Sequence, residues 1–350
     1  MSTAGQVPPP PWFAPTLAAL IERRDLTAVE MCALMHAVVG GACGEAETAA
    51  LLVALRMKGE TADELAAAAA VLREYRVHFD AGRDGVLDTC GTGGDGTGTF
   101  NISTATALVV AAAGVPVVKH GNRAASGRSS SADVLCELGL PIEAGPAWAA
   151  RCLRETGLAF CFAPHYHPAL ARVAELRRRL GIRTLFNCLG PLANPAGAAY
   201  QLLGVGRPEL LDPIAGALAE LGTRHALVVC GADGFDEVSL TGPTLVREVR
   251  GGAVTAREWT PGDFGLESCR LEELGAAGPA ASAAVVRGVL DDRPGPARRV
   301  VVANAAAALL AADRVGSLGD GVALADTTIR TGRARQVWER IRGLGGESAH

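Results

Sequence analysis

Apolar and polar positions divide the chain into two regimes. From Pro15 to about Val77 apolar residues recur at helical spacing, as at Met31, Leu34, Met35 and Val38, so each helix should bury one stripe against a core or a subunit interface. Thr27 with Glu30 and Thr61 with Glu64 have the spacing of capping boxes, which predicts helix starts at those points. Past Gly85 short β-type runs take over: VLD at 86, VPVVKH at 115, LAFCF at 158, YQLLGV at 200 and HALVVCG at 225, with helical stretches between them. That alternation predicts an α/β region with a mostly parallel central sheet covered by helices. The opening MSTAGQVPPPP has no periodicity and four consecutive prolines, so residues 1–14 are expected to be a disordered leader.

Composition narrows the class. A chain of 350 residues with 49% hydrophobic content can bury a sizeable core. The formal charge of −4, without any Lys/Arg block, leaves no sequence-wide footprint for nucleic acid, though it leaves room for a local basic pocket. The longest mostly apolar stretch, Ala105 to Val118, is too short to span a bilayer and is interrupted by Gly114 and Pro116. It reads as a buried helix followed by a strand, so no membrane partner is expected. The nine cysteines stand singly among apolar or small neighbours, which predicts reduced core residues of a cytoplasmic protein.

Ligands of open α/β sheets sit at the carboxyl ends of strands, and three polar clusters fall there. The first, DTCGTGGDGTGTFNIST at residues 88–104, has five glycines between Gly91 and Gly98, with Asp95 among them. Its G-x-G-x-x-G lacks the acidic residue that a dinucleotide site needs after the next strand, and a Walker A lysine is absent. Glycines admit close approach of a ligand to the backbone, and Asn101, Ser103 and Thr104 lie where a helix begins. A phosphate site and a structural turn are the two readings. The second cluster, KHGNRAASGRSSSAD at 119–133, is dense in phosphate donors: Lys119, Asn122, Arg123, Ser126, Arg128 and Ser129 to Ser131. The third, GADGFDEVS at 231–239, sets Asp233, Asp236 and Glu237 after an apolar run. Alone it reads as an exposed acidic turn; beside two anion loops it suits Mg²⁺ bound with substrate phosphates. A divalent cation, or a sugar hydroxyl, would let Asp95 sit beside a phosphate. The chemistry implied is metal-assisted, on a phosphorylated sugar or nucleotide.

GTGGDGTGTFNIST, KHGNRAASG, RRRLGIRTLFNCLGPLANP and DGFDEVSLTGPT, followed by NAAAALL and GVALA, stand in the order of the anthranilate phosphoribosyltransferase signatures. The resemblance runs from about residue 15 to 345. It implies transfer of the phosphoribosyl group of 5-phosphoribosyl-1-diphosphate (PRPP) to anthranilate in tryptophan biosynthesis. It implies a nucleoside-phosphorylase-type fold, with a small helical domain (15–82 with about 166–196) and a larger α/β domain (83–165 with about 197–345). It also implies a homodimer that meets through the helical domain, as is typical of the family.

By the same resemblance Gly91, Gly94, Asp95, Thr99, Asn101, Ile102, Ser103 and Thr104 form the PRPP loop. Lys119, His120, Gly121, Asn122, Arg123, Ala124, Ala125, Ser126, Gly127 and Ser131 form a second PRPP cradle. Ser103, Asp236 and Glu237 hold two Mg²⁺ ions, and Gly91, Asn122 and Arg177 contact anthranilate. His120 is the candidate for handling the amine proton or for walling the acceptor site. No strong general base is expected, because an aromatic amine is already neutral at pH 7. Association with a glutamine amidotransferase partner is left open.

Two positions depart from the family pattern: Ser130, where glycine is common, and Cys136, where an acid is common. Glycine in such a loop usually serves a positive φ, so Ser130 either keeps the family path at a strain of about 1 kcal/mol, the favoured expectation, or takes a different path; either way PRPP binding is expected to weaken. The competing functions are a nucleoside phosphorylase of related fold, a phosphoribosyltransferase with another aromatic acceptor, and a non-catalytic nucleic-acid-binding relative. The first would not be expected to carry this form of glycine loop. The last should be basic and lack Arg177.

Overall fold

A computed structural model describes residues 10–123 and 129–347. Four helices open the chain: α1 (Phe13–Ile21), α2 (Ala28–Gly40), α3 (Glu45–Lys58) and α4 (Ala62–Glu74). The hydroxyls of Thr27 and Thr61 accept from the amides of Glu30 and Glu64, and both glutamates reach back, so both capping boxes form. Met31, Leu34, Met35 and Val38 are all buried. The first helix starts at Phe13, inside the expected leader, because Pro15 falls in its first turn, where no amide hydrogen is required. The rest of that leader, residues 1–9, lies outside the described residues.

Next come β1 (Leu87–Asp88), α5 (Ile102–Ala112), β2 (Val117–Gly121), α6 (Ser131–Glu137), α7 (Pro146–Thr156) and β3 (Leu158–Phe162). The chain then makes α8 (Ala163–Tyr166), α9 (Ala171–Leu180) and α10 (Leu185–Leu192), and returns through β4 (Tyr200–Gly204), α11 (Leu211–Glu220) and β5 (His225–Gly231). A hairpin of β6 (Thr244–Arg250) and β7 (Ala253–Trp259) follows, and α12 (Pro279–Leu290), α13 (Pro296–Ala311), α14 (Leu318–Arg330) and α15 (Arg333–Glu347) complete the fold.

Among the described residues the strands form one sheet in the order β3-β2-β1-β4-β5-β6-β7. β3 through β5 are parallel, whereas β6 and β7 are antiparallel. The hairpin was not anticipated, although Gly251-Gly252 between two alternating runs is a hairpin signal. Strand order reverses between β1 and β4, the place where such sheets bind ligands.

Alternation along β5 joins two cores. Leu227 and Val229 pack with α5, α12 and α13, while Ala226, Val228 and Cys230 pack with α11 and the N-terminal helices. The returning α9 and α10 contribute Val173, Leu176, Leu185, Phe186 and Leu189 to the second core. Each buried leucine or phenylalanine there is worth about 1.5–3 kcal/mol of transfer free energy, enough to hold this segment on the helical side. The cysteines are all free, but only Cys152, Cys161, Cys188 and Cys230 are buried. Cys136, expected inside, is exposed because α6 turns Ala132, Val134 and Leu135 to the core instead.

Candidate functional site

The glycine loop leaves the end of β1 and is anchored at both ends by backbone. The Thr92 amide donates to the Gly204 carbonyl at the end of β4 (2.8 Å), and the Phe100 amide donates to the Leu274 carbonyl (2.9 Å). Gly91 packs so closely on β4 that a Cβ there would lie 2.7 Å from the Gly204 oxygen. Between the anchors, Asp95 accepts from the Thr97 amide (3.1 Å) and hydroxyl (2.6 Å), closing a local turn. Thr99 makes an isolated bridge to Gly275.

At the start of α5 the amide of Ser103 donates to Oε1 of Glu237 (3.1 Å), and Lys119 Nζ donates to the Ser103 hydroxyl (3.0 Å) and the Thr89 carbonyl (3.1 Å). Lys119 is 3% exposed in the middle of β2. Three polar clusters remote in sequence therefore meet at the carboxyl ends of β1, β2 and β5. Two of the expected loop residues are turned elsewhere. Ile102 is a core side chain whose amide is taken by the Phe100 carbonyl (2.8 Å), and the Thr104 hydroxyl pairs with Asn101.

Asp236 and Glu237 are half-buried carboxyls with too little compensation. Burial, then the neighbouring Asp95, pushes Asp236 well above the usual carboxylate range, with Arg183 opposing. Burial, then Asp236, does the same to Glu237, with Lys119 opposing. Among the described residues no group of three or more His, Cys, Asp or Glu side chains is placed to hold a metal. The protein's own donors are thus two crowded carboxylates and the Ser103 hydroxyl. That set fits Mg²⁺, which retains waters and takes its remaining oxygens from substrate phosphates. Asp233, the third acid of the motif, instead accepts from Thr241 (3.0 Å) and Phe235 (3.3 Å) in a turn.

In the second cradle, a Cβ on Gly121 would lie 2.7 Å from the Ser131 hydroxyl, so these two are in contact. Asn122 is exposed and accepts from the Arg123 amide (2.8 Å). Arg123 pairs with Asp133 (3.1 Å) and Glu143 and covers the Phe162 ring. Ala124, Ala125, Ser126 and Gly127 lie outside the described residues. Ser130 overturns the strain expectation. Its φ of −113° and ψ of 167° are extended, and its side chain caps α6 in a reciprocal box with Asp133. A serine is favoured at such an N-cap, so the position needs no glycine.

The His120 ring nitrogen Nδ1 lies 2.9 Å from the Gly190 carbonyl, which makes it the donor, while Nε2 is buried without a partner among the described residues. Burial, then the imidazole of His167 at 5.0 Å, pushes His120 down to about 3. It is neutral at pH 7 and a poor proton acceptor, which favours a wall over a base. Arg177 lies on α9 with its guanidinium over the Phe186 ring (5.2 Å). It is half-buried, has no ion-pair partner among the described residues, and its pKa is lowered by burial. A guanidinium in that state is ready to take a ligand carboxylate.

Four residues escaped the sequence reading. Asp88 is fully buried, pushed up to about 6 by burial against the pull of Lys119, and accepts from Asn194 (2.6 Å) and the Cys90 amide (2.9 Å). Asn194 also donates to the Val118 carbonyl (2.8 Å), tying β1 to β2. Asn304 on α13 accepts from the Val238 amide and donates to its carbonyl, both at 2.9 Å, which fixes the backbone beside Glu237. Arg183 donates to the Thr92 carbonyl (3.0 Å). A lone Asp at a strand end and an Asn opening an alanine run were the available signals.

A profile for the helical bundle domain of a glycosyl transferase family matches residues 14–75, and one for the family's a/b domain matches 83–335. The anthranilate phosphoribosyltransferase of Thioalkalivibrio sulfidiphilus is 47% identical over 325 residues, 93% of this chain and 96% of that protein. The crystal structure of anthranilate phosphoribosyltransferase from Thermus thermophilus superposes with a TM-score of 0.88 at 43% identity, covering 94% of this chain and 98% of the other. The Saccharomyces cerevisiae enzyme in complex with PRPP and Mg gives 0.86 at 26% identity, covering 96% and 98%.

Proposed function

The chain belongs to the anthranilate phosphoribosyltransferase family, and from that premise we propose that it transfers the 5-phosphoribosyl group of PRPP to the amine of anthranilate. The products are N-(5-phosphoribosyl)anthranilate and diphosphate, in tryptophan biosynthesis. The observation that carries the proposal is the meeting of Ser103, Lys119 and Glu237 at the switch point of the sheet.

The amine nitrogen forms a bond to the anomeric carbon while the bond from that carbon to the diphosphate oxygen breaks, its electron pair leaving with diphosphate, and the nitrogen then gives up one proton to the departing diphosphate or to water. Charge separation dominates such a barrier, so positioning and electrostatics carry the catalysis. Asp236, Glu237 and Ser103 would hold two Mg²⁺ ions, which would supply neutralisation of the charge on the leaving diphosphate. Lys119 contributes a fixed positive charge, and the start of α5 adds the helix dipole for an anion. Arg177 holds the anthranilate carboxylate and Asn122 steadies the ring, so that the amine is presented to the ribose. His120, neutral and oriented by Gly190, walls the acceptor side.

No helix among the described residues is long and apolar enough to cross a membrane, and the proposed setting is the cytoplasm. We propose a homodimer through the N-terminal helices, supported by the exposed Ile21 and Val29 on α1 and α2; light scattering tests it. The activity is tested by incubation with PRPP, Mg²⁺ and anthranilate, following loss of anthranilate fluorescence. Loss that needs all three is expected. Phosphate-dependent nucleoside cleavage without it would overturn the assignment in favour of a phosphorylase.

A further inference from the structure

The glycine loop is held by backbone at its two ends, yet its middle is reached by a side chain from the helical side of the molecule. Arg183 sits in the connector between α9 and α10, and its Nη2 donates to the carbonyl of Thr92 (3.0 Å). Thr92 is gripped from the sheet side as well, through its amide, which donates to the Gly204 carbonyl. Its guanidinium also lies flush on Gly94, so that a Cβ there would overlap Nη1. Gly94 has φ +76°, and the residue is glycine both for that angle and for the space Arg183 takes.

We infer that Arg183 is a positioning residue that straps the Thr92–Gly94 segment to the α9–α10 connector and so sets the loop in its PRPP-binding shape. The inference rests on the PRPP reading of the loop for its functional consequence, though not for the strap itself. A guanidinium suits the task because it is planar, can lie against a glycine face and still donate along its edge. The same connector joins α9, which carries Arg177, to α10, which carries the His120 partner Gly190. The loop and the acceptor side are thereby joined through one short segment.

The test uses the full chain with R183A, R183K, G94A and the double variant G94A/R183A. Amide exchange over residues 93–98 is measured without substrate, with the β6–β7 hairpin as folding control, and PRPP–Mg²⁺ affinity is measured by titration. R183A is expected to speed exchange in the loop at least tenfold, to weaken PRPP binding by a similar factor and to leave the hairpin unchanged, with R183K in between. KM for PRPP should rise more than kcat falls. Because the Cβ of G94A displaces the same guanidinium, the double variant should bind PRPP no worse than G94A alone. Unchanged loop exchange in R183A, or multiplicative losses in the double variant, would overturn the inference. If the parent protein fails to bind PRPP, the functional reading falls, while the exchange comparison still decides the strap.

Discussion

The backbone amide of Ser103 donates to Oε1 of Glu237 across 3.1 Å, so the first turn of α5 is tied to an acidic residue 134 positions away. The contact satisfies a helix N-terminal amide that has no partner within the helix. It also places the Ser103 hydroxyl, already held by Lys119, beside the acidic pair.

Asp236→Asn and Glu237→Gln are therefore expected to cut kcat/KM by about two orders of magnitude or more, since a metal supplies several kcal/mol of transition-state stabilisation. Excess chelator should abolish turnover and Mg²⁺ should restore it. Full activity in chelator would rule out the metal assignment.

Arg177→Ala should raise the KM for anthranilate by at least tenfold while moving that for PRPP little, because only one substrate carries the carboxylate it would hold. Lys119→Met, which keeps the volume of a buried side chain, should do the reverse. Equal effects of both variants on both substrates would show that the two half-sites are wrongly divided.

Ser130 caps α6, and this reverses what its place in a glycine-prone loop suggested. Ser130→Ala should lower unfolding stability by about 1 kcal/mol, and Ser130→Gly by only a few tenths. The glycine variant should bind PRPP as the parent does. Tighter binding would revive the strain explanation that the extended backbone argues against.

His120 is held down to about 3 by burial and by His167, with Lys119 also near. A depressed pKa means that the unfolded chain binds the proton first. The stabilising contribution is thus present above about 6.5 and is lost as pH falls toward 3. At pH 5 this single residue should cost about 2 kcal/mol. Urea midpoints at pH 7 and 5 should separate less in His120→Asn, which keeps a donor for Gly190. An equal separation in both proteins would show that His120 is not buried in neutral form.

Asn304 makes its bonds to Val238 from inside α13, where it is fully buried. Asn304→Ala leaves a buried amide and carbonyl unpaired, which should cost about 2 kcal/mol or more of stability. It should also weaken Mg²⁺-dependent activity through the adjacent Glu237. Stability loss with unchanged Mg²⁺ dependence would confine Asn304 to a structural role.

Local chemistry was legible in the sequence. Thr27 and Thr61 begin helices because a hydroxyl three residues before a glutamate satisfies free amides whatever the rest of the chain does. The runs at 115, 158, 200 and 225 are strands because β-branched and apolar residues fit a sheet buried on both faces. The glycine loop, the Lys119 segment and the Asp236–Glu237 pair each announced a strand end with polar cargo, and the order of the motifs carried the family. What the tertiary structure alone decided is which groups meet and which are already spoken for. That Asp88 is a buried hub with Asn194, 106 positions away, and that the Ser103 amide meets Glu237, 134 positions away, follow from contacts between distant segments. Sequence spacing cannot encode such contacts, because burial and the field of neighbouring charges exist only once the strands have been laid side by side. Arg183 shows this most plainly: in the sequence it is one of several arginines near a helix, and only the folded chain sets its guanidinium against Gly94.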